Sequence, residues 1–243
     1  MLNKAGELSP RLTFYREHKY TGADGTRIVE LARELGCQTE RVPIKSFGSL
    51  SENARIILDW LEAQTAKRVA LVSLSKGSAD VKTALGLPDA GEAFRCVTTW
   101  VSVSGIVQGT PLVAWLQKRP LRWLGVRLLL RFQGHRATVM DDLRREDGAP
   151  LASWPQIPVH LRVVHVFGFP LRRHLSHPWA PRAYERLSSM GPNDGGGNLL
   201  GDVTRFPGIV FPVWGADHYL GPGWDSRSLL RNILRTAMAE AFS

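Results

Sequence analysis

The sequence predicts a single α/β domain, a mostly parallel sheet with helices on its faces, and three observations carry that expectation. Strand-length apolar runs alternate with stretches of helical spacing, the rhythm of successive βαβ units. One of these runs, Arg68–Leu74 (RVALVSL), is continuously apolar, as a strand buried on both faces of a parallel sheet must be. It leads straight into Ser-Leu-Ser-Lys-Gly (Ser73–Gly77), whose small residues two before and two after Ser75 suit a sharp strand-to-helix turn that exposes Ser75. At 243 residues the chain is long enough for one such domain with a sizeable core.

Taken in order, a weakly apolar start at Leu12–Tyr15 is followed by a polar loop over His18–Gly25. Thr26–Leu35 has apolar residues at helical spacing, with Gly36 as the stop. Glu40–Ile44 reads as a short strand ending near Pro43. Ser51–Ala66 is a helix with Ala54, Ile57, Leu58 and Leu61 on one face and Ser51 as its N-cap. After the Arg68–Leu74 strand come a helix over Ser78–Leu87 and a strand over Val97–Val103, which ends at Ser104-Gly105. Further strands are expected at Val159–Phe167 and Pro207–Val213, and Asp225–Phe242 closes the chain as an amphipathic helix. No repeat or linker divides residues 1–243, so one domain is expected, with Thr110–Pro155 inserted as a cap.

Composition narrows the function classes. Hydrophobic content of 44% and charged content of 22% are ordinary for a globular protein. The net charge of +9 admits an anionic membrane surface as a partner, but the arginines are scattered and no nucleic-acid-binding motif is present, so no nucleic acid is expected. Cys37 and Cys96 stand in unrelated contexts, neither a disulfide framework nor a metal site, and read as buried thiols. The N-terminus has no apolar core of a secretory signal, and Pro111–Phe132 is interrupted by Lys118, Arg119, Arg122, Arg127 and Arg131, which excludes a simple membrane span. A cytoplasmic location is the resulting expectation.

In an open parallel sheet, reactive groups gather beyond the carboxyl ends of the strands. Ser75, Ser104 with Gly105, Asp194 and His218 all fall there. Ser73–Gly77 is a near match to the G-x-S-x-G elbow, in which the serine sits at a helix N-terminus and the next amide, here that of Lys76, points at a developing oxyanion. A serine needs a base, and the base an orienting carboxylate, in the chain order Ser, acid, His. His218 follows the last expected strand, whereas His18, His135, His160, His165, His174 and His177 come too early. For the acid, Asp194 lies in a glycine-rich turn, Gly191–Gly197, that only a special backbone requirement explains; Asp202 and Asp217 compete with it.

The elbow, Asn193-Asp194-Gly195 and Asp217-His218-Tyr219-Leu220, with His218 lying 24 residues beyond Asp194, resemble the α/β-hydrolase superfamily, in particular its bacterial triacylglycerol lipases and esterases. The resemblance runs from Arg68 to about Leu220 and implies Ser75 as nucleophile, Asp194 as acid and His218 as base. There are two departures. Ser73 stands where the family has Gly, and the His-Gly pair that ends an N-terminal strand and supplies the second oxyanion amide is lacking at Arg11–Arg16. With 74 residues before Ser75, the first strands are expected to be reduced or missing, and the amide of Tyr15 or Arg16 is the expected partner of Lys76. No cofactor is implied, and the calcium site of many such lipases is not placed.

The expected activity is therefore serine hydrolysis of a carboxylic ester, a small-molecule or lipid ester with an apolar acyl group. Acyl transfer, thioester hydrolysis on the same residues, a non-catalytic protein of this fold and a basic peripheral binder are the alternatives. Thr110–Phe132, where Trp115, Leu116, Leu121, Trp123, Leu124 and Leu128–Leu130 are interleaved with cations, reads either as a lid resting on an anionic lipid surface or as a helix pair packing on its own core.

Overall fold

A computed structural model describes residues 25–220, apart from 133 and 136, and residues 226–239. The expectations placed on Arg11–Arg16, and on the first and last residues of the chain, lie outside the described residues. The elements in order are α1 (Thr26–Glu34), α2 (Leu50–Glu62), β1 (Val69–Leu74), α3 (Lys76–Leu85), α4 (Ala90–Ala93), β2 (Val97–Val103), α5 (Pro111–Gln117), α6 (Pro120–Phe132), α7 (Thr138–Asp142), β3 (Arg162–Phe169), α8 (Ala180–Leu187), α9 (Leu200–Val203), β4 (Ile209–Trp214) and α10 (Ser226–Ala239).

The four strands form one parallel sheet in the order β1-β2-β3-β4. Leu74 lies beside Val103, Val103 beside Val166 and Gly168 beside Val213. The ends of β1 and β2 are level with each other, those of β3 and β4 are level with each other three residues further on, and the loops that follow all leave from this one edge of the sheet, where the site described below assembles.

Side chains alternate between the two faces, as strand geometry requires. Leu71, Trp100 and Val163 pack with α2 (Ala54, Ile57, Leu58, Leu61) and α3 (Val81, Ala84, Leu85). Val101, Val103, Val164, Val166 and Val213 pack with Leu31 of α1 and Ile233 and Leu234 of α10. Glu34 accepts from Arg227 and Arg231, tying α1 to α10. A third apolar cluster, with Leu50, Ala79, Ile106, Val113, Leu143 and Leu151, seats the β2–β3 insertion on α2 and α3. Buried Lys82 fastens it further, donating to the carbonyls of Val107 (2.8 Å) and Leu151 (2.6 Å).

Two local expectations are corrected. Glu40–Ile44 forms no strand: Pro43 has no N–H to donate, and the Ile44 amide turns back to the Val42 carbonyl at 2.9 Å instead of meeting a neighbour. Val42 and Ile44 still pack on the α2–α3 core, which accounts for their apolar character. Helix α2 is capped by Ser49 rather than Ser51: Ser49 is extended (φ −64°, ψ 158°) and its hydroxyl accepts from the Glu52 amide at 3.2 Å. Among the described residues no strand precedes Val69. Cys37 and Cys96 form no disulfide and are half-buried, less enclosed than expected.

Candidate active site

Ser75 sits between β1 and α3 with φ 49° and ψ −120°, a conformation that costs a non-glycine residue about 1–3 kcal/mol. Three backbone bonds hold it: its amide donates to Val103 O (3.0 Å), and its carbonyl accepts from Ser78 (3.1 Å) and Ile106 (3.1 Å). Ser73, the departure from the glycine of the motif, has a structural task. Its hydroxyl accepts from the indole N–H of fully buried Trp100 at 2.7 Å and bonds Ser78 Oγ at 2.8 Å, which in turn accepts from Ser102 Oγ at 3.0 Å. The glycine packed tightly against this turn is Gly105, just beyond β2, not Gly77. A Cβ at Gly77 would meet only Ser73 Cβ, at 3.7 Å, whereas one at Gly105 would come within 2.1 Å of Ser102 Oγ and 2.4 Å of Ser78 Oγ.

His218 is carried by the loop after β4. Its Nε2 lies 2.9 Å from Ser75 Oγ and its Nδ1 lies 2.7 Å from Asp194 Oδ2. An ionised carboxylate only accepts, so in the neutral imidazole Nδ1 carries the proton and Nε2 accepts from the Ser75 hydroxyl. Burial disfavours the imidazolium, but the charge and hydrogen bond of Asp194, with the charge of Asp217 added, outweigh it and hold His218 above its ordinary pKa of 6.5.

Asp194 is fully buried in a turn closed by the Asn193–Leu199 bridge. Its Oδ1 accepts from the amides of Gly196 (2.8 Å) and Asn198 (3.1 Å), and its Oδ2 from Asn198 Nδ2 (2.8 Å). The glycines follow from that wrapping. Gly195 and Gly197 have φ of 76° and 128°, and a Cβ on Gly196 would fall 2.0 Å from His218 Cγ. Asn198 escaped the reading of the sequence; its side-chain amide also donates to Ser104 O at 2.6 Å, fastening the acid turn to the end of β2. Only the polarity of an asparagine beside the glycine run hinted at it.

The competing carboxylates are engaged elsewhere. Asp202 takes a two-pronged bond from Arg145 (2.6 and 2.7 Å). Asp217 accepts from Ser176 N and Oγ (2.7 and 2.6 Å) and from Tyr219 N (3.0 Å), which shapes the loop that carries His218. Ser104, with φ 47°, is buried, and its carbonyl receives Asn198. Lys76 opens α3, where first-turn amides lack helical partners. Its ammonium is drawn away to Asp80 Oδ1 at 2.7 Å, while Asp80 Oδ2 accepts from Asn53 at 3.1 Å. Burial, only partly offset by the Lys76 charge and bonds, pushes the Asp80 carboxyl up to about 6. Tyr15 and Arg16 lie outside the described residues. The concavity lined by Leu61, Thr65, Glu92 and Cys96 lies at the amino ends of β1 and β2, away from His218.

No protein-family model matches the sequence, and no curated protein matches it. Solved structures do match in shape. A metagenomic carboxyl esterase superposes with a TM-score of 0.61 at 21% identity, over 80% of this chain and 63% of the esterase. A Bacillus licheniformis lipase in its mature form superposes with a TM-score of 0.50 at 16% identity, over 82% of this chain and 76% of the lipase. This is the α/β-hydrolase fold. The chain thus spans just under two thirds of the length of the esterase, and the same lipase with its propeptide is covered over 42% of its length at a TM-score of 0.54. Within the α/β-hydrolase fold, Ser75, Asp194 and His218 follow strands β1, β3 and β4 in the order the sequence predicts.

Proposed function

We propose that the protein is a serine hydrolase of carboxylic esters. The observation that carries the reading is the unbroken line Ser75 Oγ–His218–Asp194, with spacings of 2.9 and 2.7 Å, on a strained turn at the carboxyl end of a parallel sheet. Ser75 Oγ attacks the ester carbonyl as Nε2 of His218 takes its proton, and the first-turn amide of Lys76 donates to the oxyanion. Collapse of the tetrahedral adduct breaks the C–O bond, and His218 returns the proton to the leaving alcohol. Water, deprotonated by His218, then attacks the acyl-enzyme and releases acid and Ser75. Asp194 holds the imidazole in place and balances the positive charge it gains. An apolar acyl group is supported by the position of the β2–β3 insertion: a Cβ on Gly197 would lie 2.9 Å from Thr110 Oγ1 and 3.7 Å from Leu112 Cδ1, so the apolar α5 starts against the acid turn. The carboxyl esterase and the lipase that share this fold support an ester substrate. Hydrolysis of p-nitrophenyl acetate, butyrate and octanoate tests it: measurable turnover favouring the longer acyl groups and lost in Ser75→Ala is expected, and wild-type turnover equal to that of Ser75→Ala on all three would overturn it.

A further inference from the structure

Helix α6 packs the wrong way round for a helix facing water. Of its thirteen residues only Leu130 is buried, with Trp123 and Val126 half-buried beside it. The opposite face carries Leu121, Leu124, Leu128 and Phe132 at the i, i+3, i+7, i+11 spacing of one helical stripe, 85, 53, 45 and 87% exposed. Leu129, 57% exposed, widens the stripe. Exposed Arg122 and Arg131 border it on either side, where a long side chain can reach past an apolar surface to its polar boundary. The helix is about 20 Å long at 1.5 Å per residue, short of the roughly 30 Å of a bilayer's hydrocarbon. No helix of the described residues is long and apolar enough to cross a membrane.

A second observation gives the sign of the partner. From Thr110 to Met140 the sequence holds Lys118, Arg119, Arg122, Arg127, Arg131 and Arg136 and no acidic residue. Between α5, α6 and α8 three guanidiniums converge on one indole: Arg186, Arg119 and Arg122 lie 3.9, 4.1 and 5.5 Å from the centre of the Trp115 ring. Burial, and then the like charges of Arg122, Arg119 and Arg182, depress the pKa of Arg186. The neighbouring Glu185 offsets these like charges only in part, so the cluster favours a further anion.

We propose that α6 and the arginines around Trp115 form a contact surface for an anionic phospholipid bilayer, α6 lying in the plane of the headgroups with its leucines and Phe132 inserted. An apolar stripe bordered by cations is the pattern of helices that lie on membranes rather than span them. Because α5 begins against the acid turn at Gly197, docking would place the Ser75 site next to the surface from which a lipid ester comes. That last clause rests on the proposed esterase function; the docking itself does not.

The test is sedimentation with vesicles of phosphatidylcholine containing a quarter phosphatidylglycerol, in 50 and 300 mM salt, using the wild type, Ser75→Ala, a Leu121→Ser/Leu128→Ser/Phe132→Ser triple and an Arg119→Gln/Arg122→Gln/Arg186→Gln triple. Wild type and Ser75→Ala should bind alike, showing that docking is independent of catalysis. Affinity should fall at higher salt and drop about fivefold for each arginine removed. The apolar triple should lose at least tenfold while keeping its circular dichroism, its replaced side chains being exposed. Equal binding to pure phosphatidylcholine, no binding at 50 mM salt, or a solution dimer that dissociates in the apolar triple would overturn the proposal.

Discussion

Asp194→Asn is the substitution for which the structure forces the outcome. The new side chain is not free to choose its orientation. The amides of Gly196 and Asn198, at 2.8 and 3.1 Å, both point at the Oδ1 position and require an oxygen there. The asparagine NH2 must then occupy the Oδ2 position, 2.7 Å from His218 Nδ1 and 2.8 Å from Asn198 Nδ2. An NH2 can only donate, so Nδ1 becomes the acceptor and the imidazole proton moves to Nε2, where it faces Ser75 and cannot take its proton. The wrong tautomer costs on the order of 10⁴ in kcat, about 5.5 kcal/mol of activation free energy. The pH profile carries the same information. In the wild type His218 must be neutral to act and its pKa is held above 6.5, so kcat/KM should rise with pH through an apparent pKa above 6.5. The same raised pKa means that the imidazolium–carboxylate pair adds stability below the unfolded pKa of 6.5, and that this contribution is lost as pH rises through the folded value. Stopped-time ester hydrolysis from pH 5 to 9 reads the profile. A loss of less than tenfold in Asp194→Asn, or an acid limb at or below pH 6.5, would refute the assignment of Asp194 as the group that orients His218.

Ser73→Gly restores the usual motif residue yet strips the Trp100 indole of its acceptor; it should lower stability by about 1–3 kcal/mol in urea unfolding while activity persists, and an unchanged midpoint would contradict the role given to Ser73. Gly196→Ala places a methyl 2.0 Å from His218 Cγ and should cut kcat/KM at least ~10²-fold by displacing the imidazole, with urea unfolding checking that the chain still folds. Lys82, buried against Trp154 and Phe206 and stripped of water, has its pKa lowered to about 8 from 10.5. The unfolded chain therefore binds more protons between these values, so the Lys82 contribution makes stability climb from pH 8 to 10.5, and the slope should flatten in Lys82→Met.

Much of this is legible in the sequence, for reasons that differ between elements. The sheet is legible because strand-length runs rich in β-branched and aromatic residues stand between stretches of helical spacing: Val97–Val103 matches β2 residue for residue, and the other three strands shift by up to three residues at an end, although β1, with Ala70 exposed, is not buried on both faces as expected. The meeting of Ser75, Asp194 and His218 is legible because each follows a strand, and the topology of the sheet puts those loops together. What escaped depends on partners far apart in the chain. Glu40–Ile44 has the apolar residues of a strand but no neighbour to pair with, and these residues serve the α2–α3 core instead. Ser49 rather than Ser51 caps α2 because of the path the chain takes into the helix. Ser73 and Asn198 mattered through Trp100 and Ser104, contacts that join residues 27 and 94 positions apart. The long polar turn at Gly191–Gly197 could be seen to need glycine, but the reason, an imidazole lying against Gly196, is tertiary.

The proposed chemistry requires Ser75 to be an activated nucleophile. Incubation of the folded protein with a fluorophosphonate probe, followed by mass spectrometry of the labelled peptide, tests it most directly. One adduct is expected, on Ser75, formed in the wild type, absent in Ser75→Ala and strongly slowed in His218→Ala. Folded wild-type protein that stays unlabelled, or a label carried by another residue and retained in Ser75→Ala, would contradict it.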